Sequence, residues 1–308
     1  MNLREQTREY MKAYHLSRQQ MAELLNIRPY ILAKYLDDLP GCSKESVEAS
    51  LRAYFLKLER KEVRANRPEF IPRLTANLIL EKLREADEHK ALGLLYGPPG
   101  IGKTFAIEEF IDRVEKQDNH EKPEVLVVTA HSASTPKSLM AALCVQAGIA
   151  HQATASTLAE SLVRKLTAGH YLIIVDEANH LEIEAMELLR YVYDLGHLGV
   201  ALIGTLRLYE IFTDGSRPAG ELEQLWSRVG ICELLPGLME HEARQMIQKT
   251  LGRISEIATK QILGLTGNSM RRLAKLLDQL KELQELNGDR GLVELIPAAT
   301  GATPAFSR

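Results

Sequence analysis

Apolar residues recur along this chain with different spacings, and each spacing predicts a different kind of segment. Between residues 1 and 60 the period is close to 3.6, which is typical of short helices, at Met21, Leu24, Leu25, Ile27, Ile31, Leu32, Tyr35 and Leu36. Short apolar runs then alternate with amphipathic stretches, and the helical period returns towards the C-terminus. The pattern predicts a helical N-terminal domain over 1–65, a linker over 66–72, an α/β domain over 73–235, a helical lid over 236–290 and a flexible tail over 291–308.

The apolar runs in the central part are short, and the middle three contain β-branched residues. They are Leu92–Tyr96, Val125–Thr129, Tyr171–Val175, Val200–Gly204 and Ile231–Leu235. Such runs are typical of strands buried on both faces, and the segments between them have helical periodicity, for example over 104–114. Alternating strands and helices predict an α/β fold with a five-stranded parallel sheet flanked by helices.

Composition limits the class of protein further. The chain has 308 residues, of which 45% are hydrophobic and 26% charged, and these values exclude a disordered or fibrous chain. No apolar run is long enough to span a bilayer, and the first residues lack the apolar segment of a secretory signal. Cys42, Cys144 and Cys232 form no C-x-x-C pair, so we expect neither disulfides nor a zinc site, and a cytoplasmic location.

The net charge of −3 is unevenly distributed. Residues 1–72 carry +3 and the remainder −6. A weakly basic N-terminal segment on an acidic body is compatible with nucleic-acid binding, which would then depend on local patches rather than on the overall field.

A glycine-rich loop follows the first predicted strand and precedes a predicted helix. It consists of Gly97, Pro98, Pro99, Gly100, Ile101, Gly102, Lys103 and Thr104, which satisfies G-x-x-x-x-G-K-[ST] in full. Glycines allow backbone N–H groups to surround phosphate oxygens, and the N-terminus of the following helix favours an anion. We expect Lys103 to bind the β- and γ-phosphates of ATP and the Thr104 hydroxyl to ligate Mg²⁺.

Two adjacent carboxylates end the third predicted strand. Asp176 suits the coordination shell of Mg²⁺, while Glu177 suits a general base that polarises the attacking water. Thr205 follows the fourth strand, where a side chain contacting the γ-phosphate or the water would lie. Arg228 precedes the fifth strand, and Arg271 and Arg272 follow Gly267 and Asn268 near a helix start. We interpret the arginines as groups that neutralise ATP charge, one from a neighbouring subunit and one from the lid.

The order of these motifs resembles that of the AAA+ ATPases. Within them the chain is similar to the Mu B family of transposition proteins, the target-selection ATPases of transposons. The most specific matches are the segments IVDEANHL (174–181), GVALIGT (199–205) and LWSRV (225–229), together with a helix-turn-helix pattern before the ATPase domain.

The resemblance implies a role for each matching position. Lys103 and Thr104 would be Walker A, and Asp176 and Glu177 Walker B. Thr205 would be sensor 1, where relatives commonly carry Asn, and its shorter side chain implies slower hydrolysis. Arg228 would be the arginine finger, and Arg271 sensor 2. Arg272 is the alternative for sensor 2, since adjacent helical residues differ by about 100° and only one can face the nucleotide.

Residues 17–36 are typical of a helix-turn-helix with Asn26 at the turn. Arg28, Tyr30 and Lys34 lie on the outward face of its second helix and are candidate DNA contacts. His131, Thr135 and Lys137, after the second strand, are further candidates. A helical bundle that binds protein, or only caps the ATPase, is the alternative.

These observations predict an ATP- and Mg²⁺-dependent ATPase that binds duplex DNA with little sequence preference and oligomerises with ATP at subunit interfaces. The resemblance implies that it activates a separate transposase. Two alternatives stay open: an ATPase of the helicase-loader type with a protein client, and a sequence-specific regulator or initiator. A membrane partner is not expected.

Overall fold

The computed structural model describes residues 2–41, 43–65, 70, 72–118, 121–132, 134–150, 153–213, 222–267, 269–287 and 292–301. The N-terminal part consists of the helices α1 (Leu3–Ala13), α2 (Arg18–Leu24), α3 (Pro29–Leu36) and α4 (Lys44–Ala65). The four-residue turn between α2 and α3 contains Asn26 with a φ of 51°, as the predicted turn requires. Met21, Leu32 and Tyr35 form the core of this part with residues of α4.

The long helix α4 belongs to this core and also to the interface with the ATPase. Its Val47 and Leu51 are buried among the N-terminal helices. Near its other end, Arg60 donates to the carbonyl of Val127 at 2.9 Å, and Arg64 forms ion pairs with several carboxylates. Most of the linker predicted over 66–72 lies outside the described residues.

Within the described ranges, parallel strands form one five-stranded sheet of order β2-β3-β4-β1-β5. The strands are β1 (Leu92–Tyr96), β2 (Glu124–Thr129), β3 (Tyr171–Asp176), β4 (Gly199–Gly204) and β5 (Val229–Leu234). Each differs from its predicted bounds by at most two residues. The α/β fold class predicted from the sequence is therefore confirmed.

Helices cover both faces of the sheet because alternate strand residues point to opposite sides. Ile173 and Val175 pack against α7 (Pro136–Gln146), α8 (Ala155–Leu166), α9 (Ile183–Gly196), α10 (Leu206–Thr213) and α11 (Glu223–Trp226). Leu172 and Ile174 pack against α5 (Leu74–Glu88) and α6 (Lys103–Lys116). The carboxyl ends of β1, β3 and β4 consequently meet at one edge of the sheet.

The C-terminal part consists of α12 (Glu240–Leu251), α13 (Glu256–Thr266), α14 (Met270–Asn287) and α15 (Leu292–Gly301). The prediction of a flexible tail from residue 291 is wrong for α15. Leu295, Ile296 and Ala299 lie on one face of this helix and are buried against α12 to α14. This helical spacing stabilises α15 although it contains Pro297, which cannot donate a backbone hydrogen bond. Residues 302–308 lie outside the described residues.

Candidate nucleotide site

The glycine-rich loop joins the end of β1 to the start of α6. Gly102 caps α6 with a φ of 93°, a conformation that strongly favours glycine. A Cβ at Gly97 would lie 2.6 Å from the carbonyl oxygen of Leu235, so glycine is also required there by close approach. The loop therefore presents backbone N–H groups at the N-terminus of a helix, a geometry that binds phosphate.

Lys103 extends back into this loop. Its ammonium donates to the carbonyl of Pro98 at 3.0 Å and to that of Gly97 at 3.3 Å, and the residue is only 5% exposed. Burial lowers the pKa of Lys103, an effect partly opposed by the carboxylates of Glu177 and Asp176. A bound phosphate would offer this cation a stronger partner than the two carbonyls.

Thr104 and Asp176 meet where β3 ends beside α6. The Thr104 hydroxyl donates to Asp176 Oδ2 at 2.6 Å, and the backbone N–H of Glu177 donates to Asp176 Oδ1 at 2.9 Å. Burial raises the pKa of Asp176, and both hydrogen bonds oppose this shift. A hydroxyl and a carboxylate in contact are hard oxygen donors that fit Mg²⁺. Among the described residues, no group of three or more His, Cys, Asp or Glu residues is placed to hold a metal ion.

Glu177 and Thr205 lie at the ends of neighbouring strands. Glu177 has a φ of 52°, which turns the chain sharply into a 3₁₀ turn over Ala178–His180, and its side chain lines the cleft with Lys103. Asn179 in that turn accepts the backbone N–H of Thr205 at 2.8 Å. A Cβ at Gly204 would lie 2.6 Å from the same Asn179 oxygen. Asn179 thus positions the candidate sensor relative to the candidate base, a role that no single motif in the sequence indicates.

The lid closes the other side of the cleft. The backbone N–H of Arg271 donates to the carbonyl of Gly100 at 3.1 Å, and the Arg271 side chain lines a cleft of about 410 Å³. Arg272 is exposed and does not line this cleft. Residues of the glycine-rich loop line the cleft together with apolar residues of the kind that suit a nucleobase, namely Phe105, Met246, Met270, Ala274 and Leu277. Arg73 also lines the cleft and was not predicted.

Arg228 lies at the opposite edge of the sheet. It precedes Val229, which pairs with Leu92 at the start of β1, whereas the glycine-rich loop follows the end of that strand. Five strand residues separate the two positions by about 16 Å. The Arg228 side chain, 39% exposed, donates to Asp194 of α9 at 2.8 Å. Arg228 is therefore not part of the cleft of its own chain.

The candidate DNA contacts lie on the surface. Arg28 and Tyr30 are exposed at the start of α3, and Lys34 is half-buried one turn later. Thr135 accepts the backbone N–H of Ser138 and caps α7, and Lys137 is exposed beside it. His131, also exposed, lies near this cap. Among the described helices, none has the length and apolarity that crossing a membrane requires.

Comparisons with known proteins agree with this geometry. Residues 85–212 match a family described as an AAA domain. The fold is similar to that of the Aeropyrum pernix ORC2 protein solved in ADPNP-ADP complexes, with a TM-score of 0.57, 20% identity, and 76% of this chain and 69% of that chain covered. Domain III of the Thermotoga maritima replication initiation protein DnaA superposes with a TM-score of 0.52 at 14% identity, covering 78% of this chain and 95% of that one. Fold and site define this protein as an AAA+ ATPase.

Sequence relatives identify the family within that class. The DNA transposition protein B of the Mu-like prophage FluMu of Haemophilus influenzae is 32% identical over 235 residues, covering 74% of this chain and 78% of the relative. The ATP-dependent target DNA activator B of Escherichia phage Mu is 26% identical over 199 residues, covering 64% of this chain and 61% of its own length. The chain belongs to the Mu B family of transposition proteins, as the motifs predict.

Proposed function

We propose that this protein uses ATP to bind duplex target DNA with little sequence preference and to activate a separate transposase. The observation that carries the proposal is the 32% identity to a DNA transposition protein B, found in a chain whose glycine-rich loop leads into the N-terminus of α6. A second relative is described as an ATP-dependent target DNA activator. Together these support DNA as the partner that ATP controls.

In this proposal the residues of the cleft have separate roles in ATP hydrolysis. Lys103 and the loop N–H groups bind the β- and γ-phosphates, and Arg271 brings the lid onto them. Thr104 and Asp176 would hold Mg²⁺, which would supply positive charge to neutralise the phosphates. Glu177 accepts a proton from the attacking water, and Thr205, held by Asn179, orients that water.

The position of Arg228 supports an oligomer. Because it lies about 16 Å from the loop of its own chain and is partly exposed, it is suited to a nucleotide bound by a neighbouring subunit. An arginine supplied in trans stabilises charge that develops on the transferred phosphoryl group. ATP would then join subunits into a ring or filament, and hydrolysis would release them from DNA.

The DNA surface proposed here combines α3 with the start of α7. Arg28, Tyr30 and Lys34 would contact one part of the duplex, and Thr135 and Lys137 another. Few cations are involved on each subunit, so affinity would come from many subunits bound side by side.

Fluorescence anisotropy tests the proposal with two unrelated duplexes of equal length. The Glu177→Gln protein, which should retain ATP, is titrated at moderate salt without nucleotide, with ADP and with ATP. We expect tight binding to both duplexes only with ATP. Binding of one duplex regardless of nucleotide would instead identify a sequence-specific regulator. Failure to bind either duplex would leave an ATPase with a protein client.

A further inference from the structure

Arg73 is a buried cation without an adequate partner. It precedes α5, lies between the sheet and the lid, and is only 8% exposed. Its Nε is buried and has no hydrogen-bond partner among the described residues. Burial of the guanidinium lowers the pKa of Arg73. An unpaired buried charge reduces the free energy of unfolding, so we expect a bound anion to pair with this guanidinium.

Glu242 of α12 is the acidic residue whose charge partly offsets the loss of hydration of the Arg73 guanidinium. Its two carboxylate oxygens, however, accept the backbone N–H groups of Leu74, at 2.7 Å, and Met239, at 3.1 Å. Glu242 therefore joins the start of α5 to the start of the lid, and it forms no ion pair with Arg73.

This junction also fixes where the guanidinium lies. The Thr75 hydroxyl donates to the carbonyl of Pro236 at 2.8 Å, a second link between α5 and the segment that enters the lid. Held in this way, Arg73 lines the cleft, and its Nη2 lies 3.5 Å from the position of a Cβ on Gly102. Gly102 belongs to the loop that cradles phosphate, so the guanidinium flanks the cradle directly.

The side of the glycine-rich loop on which Arg73 lies indicates which part of a nucleotide it would contact. Thr104 and Asp176 define the metal-binding side, and Arg271 approaches the loop through Gly100. Arg73 is on the Gly102 flank, and Gly102 lies three residues before Phe105, which also lines the cleft. This flank therefore leads towards apolar lining residues, against which we expect the nucleoside to lie.

We propose that Arg73 is a phosphate ligand, which binds the phosphate nearest the ribose and therefore holds ADP and ATP alike. The planar guanidinium matches phosphate oxygens and would gain an anionic partner from the nucleotide. Three cations, Lys103, Arg271 and Arg73, then surround the nucleotide from the loop, the lid and the start of α5. The inference rests on the proposed nucleotide site and adds a ligand to it.

The test compares Arg73→Met with the wild-type protein by calorimetric titration of ADP, and of ATP in EDTA to prevent hydrolysis. We expect both dissociation constants to increase by a similar factor of about 10 or more, the effect of losing a charge-assisted hydrogen bond. Arg73→Lys, which keeps the charge but lacks the planar fork, should fall between the two. Arg84→Met is the matched control, because Arg84 lies exposed on α5, the helix that follows Arg73, and outside the cleft.

Urea unfolding of the nucleotide-free proteins separates binding from a structural role. Removing an unpaired buried cation should leave the midpoint of Arg73→Met equal to or above that of wild type. A lower midpoint would overturn the inference, as would unchanged dissociation constants or weaker binding of ATP alone. If wild-type protein binds neither nucleotide, the proposed function fails first, so the two failures are distinguishable.

Discussion

Asn179 shows how a residue with no reactive group can control a reactive site. Its side-chain oxygen accepts the backbone N–H of Thr205, and it occupies the space that a side chain at Gly204 would fill. It lies in the 3₁₀ turn that begins directly after Glu177. The distance between the candidate base and the candidate sensor therefore depends on this one amide.

Asn179→Ala should lower kcat for ATP hydrolysis while leaving KM little changed, because the phosphate cradle does not include Asn179. Loss of the buried hydrogen bond should also reduce the free energy of unfolding by about 1–3 kcal/mol. Steady-state kinetics and urea unfolding measure the two effects. Asn179→Asp keeps an acceptor oxygen and is the control that should recover part of kcat. A change confined to KM would contradict the positioning role.

The two carboxylates at the end of β3 should separate in their effects. Asp176→Ala removes the oxygen that Thr104 contacts and should weaken ATP binding in the presence of Mg²⁺ but not in EDTA. Glu177→Gln should bind ATP normally and hydrolyse it at least about 100-fold more slowly, the lower range for general-base catalysis. Nucleotide titrations and single-turnover hydrolysis distinguish these outcomes. Hydrolysis at the wild-type rate by Glu177→Gln would exclude it as the base.

Among the secondary-structure elements, strands were predicted best. β1 has its predicted bounds because an apolar run between a polar segment and a glycine loop leaves little freedom, and β3 differs by one residue. The last helix was missed because its proline, glycine and small residues resemble a loop in isolation. Its stability comes from contact with the lid through Leu295 and Ile296, which sequence periodicity over so short a segment does not reveal.

Within the candidate site, the residues contained in one short sequence segment were predictable, whereas those positioned by distant parts of the chain were not. The phosphate loop and the Asp176–Glu177 pair were predictable because each is contained in one short segment. Arg73 and Asn179 were not, because their roles arise from groups distant in sequence: Glu242 and Gly102 for the first, and Thr205 for the second.

Helix α15 should stabilise the lid. Leu295→Ala removes a buried side chain and should lower the stability of the lid by about 2–5 kcal/mol. Hydrogen exchange should then show faster exchange in α12 and α14 while β1 and β3 stay protected. Glu294→Ala on the exposed face of the same helix is the control. Equal protection of the lid in both variants would mean that α15 is dispensable.

Helix α4 is attached to the helix that follows the phosphate loop. Arg64 is 6% exposed and its guanidinium lies 3.0 Å from Asp112 and 2.7 Å from Glu115, both on α6. Arg64→Ala leaves carboxylates close together without their cation. Since Glu115 is partly exposed, we expect a loss of about 1–3 kcal/mol, less than for a fully buried pair. Urea unfolding measures it, with Arg52→Ala, an exposed residue of the same helix, as the control.

At the scale of the whole molecule, the separation of Arg228 from the cleft predicts complementation. Arg228→Ala and Lys103→Ala should each lack DNA-stimulated hydrolysis. In an equal mixture, an Arg228→Ala subunit keeps an intact cleft, and a Lys103→Ala neighbour supplies the arginine. About a quarter of the interfaces would then be active if subunits mix randomly. ATPase assays on the mixture test this, and a mixture as inactive as its components would contradict action in trans.

The double attachment of α4 bears on how target DNA would be chosen. This helix is about 33 Å long, shares one core with α2 and α3, and is bound at its other end to β2 and α6. In the proposed assembly α4 holds the N-terminal helices rigidly on the ATPase domain. No subunit could then adjust its contact with a DNA groove independently of its neighbours. A duplex would fit every subunit only where its twist can be adjusted to the pitch of the assembly. Selection would then follow the torsional compliance of the DNA rather than the identity of its bases.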